Sequence, residues 1–439
     1  MKRVLVISYY WPPSGGSGVQ RWVKMCKYLA DYGWQPVVYT PENPAVTSKD
    51  ESLAGDIPWS VEVIRKPIVE PGQFASKTTS AQVTPINAQK KTLKQKIAMW
   101  IRGNCFIPDP RVVWVLPSVL YLQEYLKGHP VDMIVSTGPP HSMHLIARGL
   151  ARRTSIPWIA DFRDPWTRMF YFKHLSLTKY AERRHLRMEK SVLDEADRVV
   201  AVSPLVQEDF KTMTSTPVEL VTNGFDEDDF VSPDSYVTAS GKGLDPRRFS
   251  LVHAGLFASD GNPTVLWHVL GSMLETVPGF KEDFSLVLCG KTDAQITASI
   301  KEAGLGENFE DKGYLEHSAV VEVMKSAAVL LLPLRKEPEY KATLPGKLFE
   351  YLAARRPIFG IGQTDGAMAA VVDENGAGEV FGWDDEAAMR AAMERLYAAF
   401  KAGELADNKA DLSRYTRRSL AARYAALMDE VADRNDTLI

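Results

Sequence analysis

The feature that most constrains this chain is an alternation along most of its length, in which short continuous apolar runs are each followed by a turn and a stretch of helical periodicity. Val4-Leu5-Val6-Ile7 ends in Ser8, a Pro- and Gly-rich turn spans Pro12 to Gly18, and Val19, Trp22, Val23, Cys26, Leu29 and Ala30 follow at helical spacing. Continuous apolar runs belong to strands buried on both faces, and the order strand, loop, crossover helix builds a parallel sheet covered by helices. Gly33 stops the helix, and further strands are expected at Pro36 to Thr40, Met133 to Ser136, Pro157 to Ala160 and Arg198 to Val202. The fold class is therefore α/β.

The pattern then starts again. Ser232 to Arg248 is rich in Ser, Gly, Pro and Asp, and beyond it Phe249 to Ala254, Phe284 to Cys289 and Val329 to Pro333 are strand-like runs separated by helical stretches such as Pro263 to Leu274 and Ser318 to Ser326. With 439 residues, more than one hydrophobic core usually organises, two Rossmann-like domains are expected. The division reads as a first domain over 1–235, a linker over 236–248, a second domain over 249–412, and a terminal amphipathic helix over 413–439 that crosses back to the first domain. Gly72 to Gln89, polar and without period, reads as a mobile loop.

Composition narrows the function classes. A formal net charge of −3 with 24% charged residues gives no global basic field, so no nucleic-acid partner is expected. Cys26, Cys105 and Cys289 are scattered and form no ligand pair, which fits a reducing cytoplasm. The apolar run after Met1-Lys2-Arg3 is too short for a signal-peptide core or a span. Residues 90–102 mix Lys90, Lys91, Lys94, Lys96 and Arg102 with Leu93, Ile97, Trp100 and Ile101. That stretch reads first as a helix packing its apolar side on the domain, and second as a peripheral membrane contact.

In open α/β sheets, ligands sit beyond the strand C-termini, where helix N-termini expose backbone N–H groups. Three such places carry chemistry. The first is the Ser14 to Gly18 loop, where Gly16 and Gly18 let a ligand approach the backbone; Arg21 stands where a dinucleotide fingerprint needs its last glycine. The second is Leu344-Pro345-Gly346-Lys347 with Glu350. Pro345 and Gly346 open a helix toward a diphosphate, Lys347 adds positive charge, and Glu350 faces the same side, able to accept from a ribose. The third joins His141 after one strand to Asp161, Arg163, Asp164 and Trp166 after the next, an imidazole, two carboxylates and a guanidinium for orienting or deprotonating an acceptor. Trp166 offers a stacking face for a sugar. His141 and His144 lack companion ligands, so no metal and no cofactor is expected.

Pro345 to Ala354 followed by Arg356-Pro357-Ile358, the Gly-rich loop after the first strand, the Asn223-Gly224-Phe225-Asp226 turn and the Gly313-Tyr314 segment together resemble the family 4 glycosyltransferases along nearly the whole chain. The resemblance implies a GT-B architecture, two Rossmann-like domains facing across a cleft, and transfer of a sugar from a nucleotide-diphosphate donor to a saccharide or lipid-linked acceptor, with retention and without a metal. It also implies that Glu350 binds the ribose while Gly346 and Lys347 hold the phosphates, in an enzyme of bacterial polysaccharide or glycolipid assembly. Two positions depart from the family. Ala342 replaces the carboxylate associated with the transferred sugar, and Gly255 to Gly261 lacks the family's arginine and lysine. Lys291, Arg335, Lys336 and Lys341 are then the candidates to add phosphate charge, with Gly255 giving close backbone approach. Epimerisation of a nucleotide sugar and non-catalytic binding of one are the alternatives.

Overall fold

The computed structural model describes residues 1–15, 17–45, 52–70, 93–170, 172–230, 243–405 and 407–436. The chain forms two compact units, Met1–Thr222 joined by Arg417–Ile439, and Asn223–Thr416. The expected loop at Gly72 to Gln89, Gly16, and residues 236–242 of the expected linker lie outside the described residues.

In the first unit, seven parallel strands are β1 (Lys2–Ile7), β2 (Trp34–Pro41), β3 (Glu62–Lys66), β4 (Met133–Gly138), β5 (Trp158–Phe162), β6 (Arg198–Ala201) and β7 (Val218–Leu220), in the order β3-β2-β1-β4-β5-β6-β7. Helices α1 (Ser17–Leu29), α2 (Leu93–Cys105), α3 (Val115–Gly128), α4 (Ser142–Thr154), α5 (Lys179–Glu195) and α6 (Pro204–Met213) connect them. Chain order reverses between β1 and β4, the point at which an open sheet of this kind leaves a crevice beyond its strand ends.

The second unit has six parallel strands, β8 (Phe249–Ala254), β9 (Phe284–Cys289), β10 (Phe309–Asp311), β11 (Val329–Pro333), β12 (Ile358–Ile361) and β13 (Gly378–Phe381), in the order β10-β9-β8-β11-β12-β13. Its helices are α7 (Thr264–Thr276), α8 (Phe280–Asp283), α9 (Ala294–Glu302), α10 (His317–Ser326), α11 (Gly346–Ala354), α12 (Ala367–Glu374) and α13 (Glu386–Ala402). The reversal here falls between β8 and β11. Continuous apolar runs fill the central strands, whereas the edge strands β3 and β10 carry Glu62, Arg65, Lys66, Glu310 and Asp311. An edge strand keeps contact with water and cannot show a purely apolar run.

Helix α14 (Arg417–Asp436) belongs to the first unit. Leu420, Tyr424, Leu427, Met428 and Val431 enter the same core as Val4, Trp22 and Val38, and the Trp22 and Tyr424 rings meet edge to face at 5.2 Å. Aromatic pairs prefer that geometry because a positive ring edge meets a negative face.

Candidate active site

In the second unit, loops leave the C-terminal ends of the adjacent strands β9, β8 and β11 and converge on the start of α11. Tyr351 fixes that convergence. Its buried hydroxyl accepts from the Ala254 amide of β8 at 2.8 Å and donates to the Leu331 carbonyl of β11 at 3.3 Å, pinning α11 over the sheet's reversal. Pro345 occupies the N-cap in an extended conformation and supplies no side-chain cap. The amides of Gly346 and Lys347 have no acceptor among the described residues, and a Cβ on Gly346 would meet nothing within 4 Å. Two unpartnered N–H groups at the positive end of a helix dipole, facing open space, form a ready anion site.

The Lys347 side chain lies across the end of β8. Its ammonium donates to the Leu256 carbonyl at 3.1 Å and to Nε2 of His253 at 3.2 Å. His253 is buried, and its Nδ1–H donates to the Leu331 carbonyl at 3.0 Å, which leaves Nε2 as the acceptor. Gly255 is required by its φ of +105°, which suits glycine, and a Cβ there would push aside the flexible tip of Lys347, whose Nζ lies 2.8 Å from it. Gly290, at φ +125°, presses on the Gly255 backbone, so the loops after β8 and β9 touch with no side chain between them. Burial lowers the Lys347 ammonium to about 8, with the Glu350 carboxylate opposing. Glu350 is partly exposed on the same helix.

The other residues expected at the donor side fall differently. Leu344 turns its side chain into the core, so only its backbone faces the loop. Arg335 donates to Tyr340 Oη at 2.7 Å and pairs with Asp260 at 3.1 Å, so its charge is already matched inside the protein. Lys336 and Lys341 make only exposed pairs with Asp384 and Asp365, which water screens. Lys291 is exposed after β9, and its carbonyl accepts from the Phe257 amide at 3.0 Å. Ala342 closes a 3-10 turn, Pro338–Ala342.

In the first unit, Asp161 on β5 requires a correction. Its carboxylate is fully buried and accepts from Arg21 Nε at 3.2 Å, Arg21 Nη2 at 2.8 Å, Trp22 Nε1 at 2.8 Å and Thr137 Oγ1 at 3.0 Å. Burial alone would raise its pKa, but the Arg21 charge and these donors outweigh it and hold the carboxyl below the usual range. A saturated, ionised carboxylate clamping α1, β4 and β5 together is built for cohesion; a base needs a free lone pair. Arg21, rather than Arg163, is its partner.

Asp164 has the opposite character. It is partly exposed, forms no hydrogen bond among the described residues, and is raised by burial against the opposing charge of Arg163. Arg163 donates to the Pro139 carbonyl, lies 5.6 Å over the Tyr10 ring and keeps a buried Nε without a partner. Gly18 makes room for it, since a Cβ there would sit 2.5 Å from Arg163 Nη1.

His141, at the N-cap of α4, is 4% exposed with neither ring nitrogen partnered among the described residues. It stacks on Trp166 at 4.9 Å and 4°. Burial, with His144 and Arg163 nearby, keeps it neutral, well below its ordinary pKa. An unpartnered buried imidazole costs free energy unless a ligand or water completes it. Trp166 is 2% exposed and donates to His185 Nδ1 at 3.0 Å, so it supports His141 and offers no open face to a sugar. The sequence pattern does not mark Tyr351, and it marks Arg21 only as the residue standing where a dinucleotide fingerprint needs glycine. For His253 the usable signal is a large polar ring in a strand that is apolar apart from it and Ser250.

Residues 15–224 match the family model described as a glycosyl transferase 4-like domain, and residues 253–399 match that of glycosyl transferases group 1. Comparison with curated proteins gives no match. Among solved structures, the chain is similar to Anabaena HepE in complex with UDP and glucose, at TM-score 0.62 and 14% identity over 98% of this chain and 100% of that one. It is also similar to sucrose-phosphate synthase from Thermosynechococcus elongatus, at 0.60 and 15% over 100% and 98%. A third similar structure is the trehalose 6-phosphate synthase from Burkholderia multivorans, at 0.63 and 13% over 99% and 100%.

Proposed function

The chain belongs to the glycosyltransferases through both of its matched domains and has the GT-B architecture, and on that premise we propose that it moves a sugar from a nucleoside diphosphate, UDP in the first instance, to a saccharide or lipid-linked acceptor. The observation that carries the donor assignment is the unpartnered amides of Gly346 and Lys347 beside a Lys347 ammonium held over Gly255. A diphosphate leaving group develops negative charge, and preorganised N–H groups with an ammonium stabilise that charge without a metal. Glu350 serves the ribose hydroxyls. The structures similar in fold bear on the base: one was solved with UDP and glucose.

On the acceptor side, we assign Asp164 as the group that receives or orients the acceptor proton, with His141 as a neutral hydrogen-bonding partner for a hydroxyl and Arg163 holding the loop between them. His141, with both ring nitrogens unpartnered, and Asp164, raised by burial, each lie just beyond a strand C-terminus, which supports that assignment. Retention of configuration follows the family 4 resemblance, as does a place in bacterial polysaccharide or glycolipid assembly. The test is thermal stabilisation by UDP and UDP-sugars, followed by product analysis with and without a panel of acceptors. Stabilisation by UDP that persists in Asp164→Asn while transfer disappears supports the reading. Turnover of the donor to an isomer without any acceptor refutes it in favour of an epimerase.

A further inference from the structure

Helix α2 carries an apolar stripe that nothing among the described residues covers. Leu93, Ile97, Trp100 and Ile101 recur at i, i+4, i+7 and i+8 and range from 40% exposed at Ile101 to 73% at Leu93. In α3, Leu116 and Leu120, one turn apart, are 60% and 54% exposed, while Val119, Leu122 and Leu126 are buried. Single exposed apolar residues are ordinary, but two consecutive helices each baring a row of large ones mark an interaction surface.

Charge identifies what fits it. From Leu93 to Pro108 the chain has three basic residues and no acidic one. The end of α2 is tied to the start of α5 by the Thr178 amide donating to Asn104 Oδ1 at 2.7 Å. On α5, Lys179, Arg183 and Arg187 recur at i, i+4 and i+8, opposite the buried Ala181, His185 and Glu189, and form no ion pair among the described residues. Apolar stripes bordered by uncompensated cations match an anionic lipid surface, whose phosphates take the charge while its acyl boundary takes the stripe. Among the described residues, no single helix is long and apolar enough to cross a membrane. Lys96–Cys105 and Pro110–Gly128 are apolar enough only when taken together, they bend by 46° between them, and Val119 of α3 packs at Gly149 of α4.

We propose that the first unit docks on a bilayer containing anionic lipid through α2 and the exposed row of α3, with α2 lying in the interface plane and the basic residues of α2 and α5 on the headgroup phosphates. This deepens the proposed function by naming the surface at which a lipid-linked acceptor is met, and it rests on that reading only there, because docking needs no donor. The test is co-sedimentation of the full chain with phosphatidylcholine vesicles with and without phosphatidylglycerol, alongside UDP binding in solution. Wild type is expected to bind the anionic vesicles and to be released by raised salt. Ile97→Glu and Trp100→Glu are each expected to weaken partitioning by about tenfold or more, the effect of withdrawing one apolar side chain. Arg183→Gln and Arg187→Gln are expected to weaken it by about fivefold each, with UDP affinity unchanged throughout as the check that each variant folds. No binding to anionic vesicles, or binding indifferent to all four substitutions, overturns the proposal. So does a wild-type dimer that Trp100→Glu dissociates, which would assign the stripe to a second copy. Vesicle binding without any UDP binding would uphold docking and overturn only the nucleotide-sugar reading.

Discussion

Replacing Lys347 by Met tests the donor site with two signs at once. The ammonium sits at about 8 against 10.5 in an unfolded chain, so below pH 8 the folded protein holds a charge that burial disfavours. At 1.36 kcal/mol per pKa unit, that gap is an upper bound of about 3 kcal/mol of stability forgone at neutral pH. The sign follows from proton counts. Between about 8 and 10.5 the unfolded chain binds a proton that the folded one has released, so wild-type stability rises through that window. Met keeps the aliphatic stem and carries no charge. Lys347→Met should therefore melt higher than wild type at pH 7, with the advantage vanishing by pH 10.5. UDP affinity should move the other way. Losing a charge-assisted hydrogen bond costs about 1.5–3 kcal/mol, or about 10- to 150-fold in Kd. In wild type, affinity should decline as pH rises through about 8, because the diphosphate selects the protonated amine. Differential scanning calorimetry and isothermal titration across pH measure both. A variant that melts lower than wild type and binds UDP equally well would refute the reasoning, since Lys347 would then be an ordinary structural lysine.

Further expectations concern its neighbours. His253→Leu removes one acceptor for the ammonium and should raise the UDP Kd by about tenfold, the lower end for a hydrogen bond to a charged group, with the pH at which affinity begins to fall also displaced; His253→Gln, able to accept again, should restore part of it. Asp161→Asn should lower stability by about 3–5 kcal/mol by leaving Arg21 buried without its charge partner. In wild type, that contribution stays complete above the unfolded carboxyl pKa, roughly 3.9, and is lost as pH falls on through the lowered folded value, an effect acid-unfolding curves of the two proteins would expose. Asp164→Asn should leave the melting temperature and UDP binding near wild type while removing transfer, and the wild-type rate should climb with pH through a pKa above the usual carboxylate range. Equal rates in the two proteins would dismiss Asp164 as the proton acceptor.

Much of the architecture could be read from residue order. Phe249–Ala254, Phe284–Cys289 and Val329–Pro333 are strands with the boundaries their apolar runs imply, and Gly346 opens α11 where Pro345 and Gly346 suggest. The short edge strands were illegible for a physical reason: Phe309-Glu310-Asp311 is half solvated and follows no apolar run. Site residues divide along a different line. Position along a strand–loop–helix unit reveals that Lys347, His141 and Asp164 lie beyond strand ends, because topology dictates it. Whether a polar group is spent or available depends on partners far away in sequence. Asp161 is spent on Arg21, 140 residues distant, and Arg335 on Asp260, whereas Asp164 three residues on is not. No local pattern encodes that difference, and the same blindness hid His253, whose importance comes from a lysine 94 positions later.

The return of α14 to the first unit has a consequence for how the protein comes off the ribosome. Residues 1–222 are made before residues 417–436, so Trp22 and its neighbours lack the ring of Tyr424 until that helix follows. The second unit, with all its strands contiguous between Asn223 and Thr416, can close its own core earlier. Synthesis order and completion order are thus inverted: the half that is translated first is finished last, and during that interval it exposes the apolar surface of α1 to whatever chaperone or membrane is at hand.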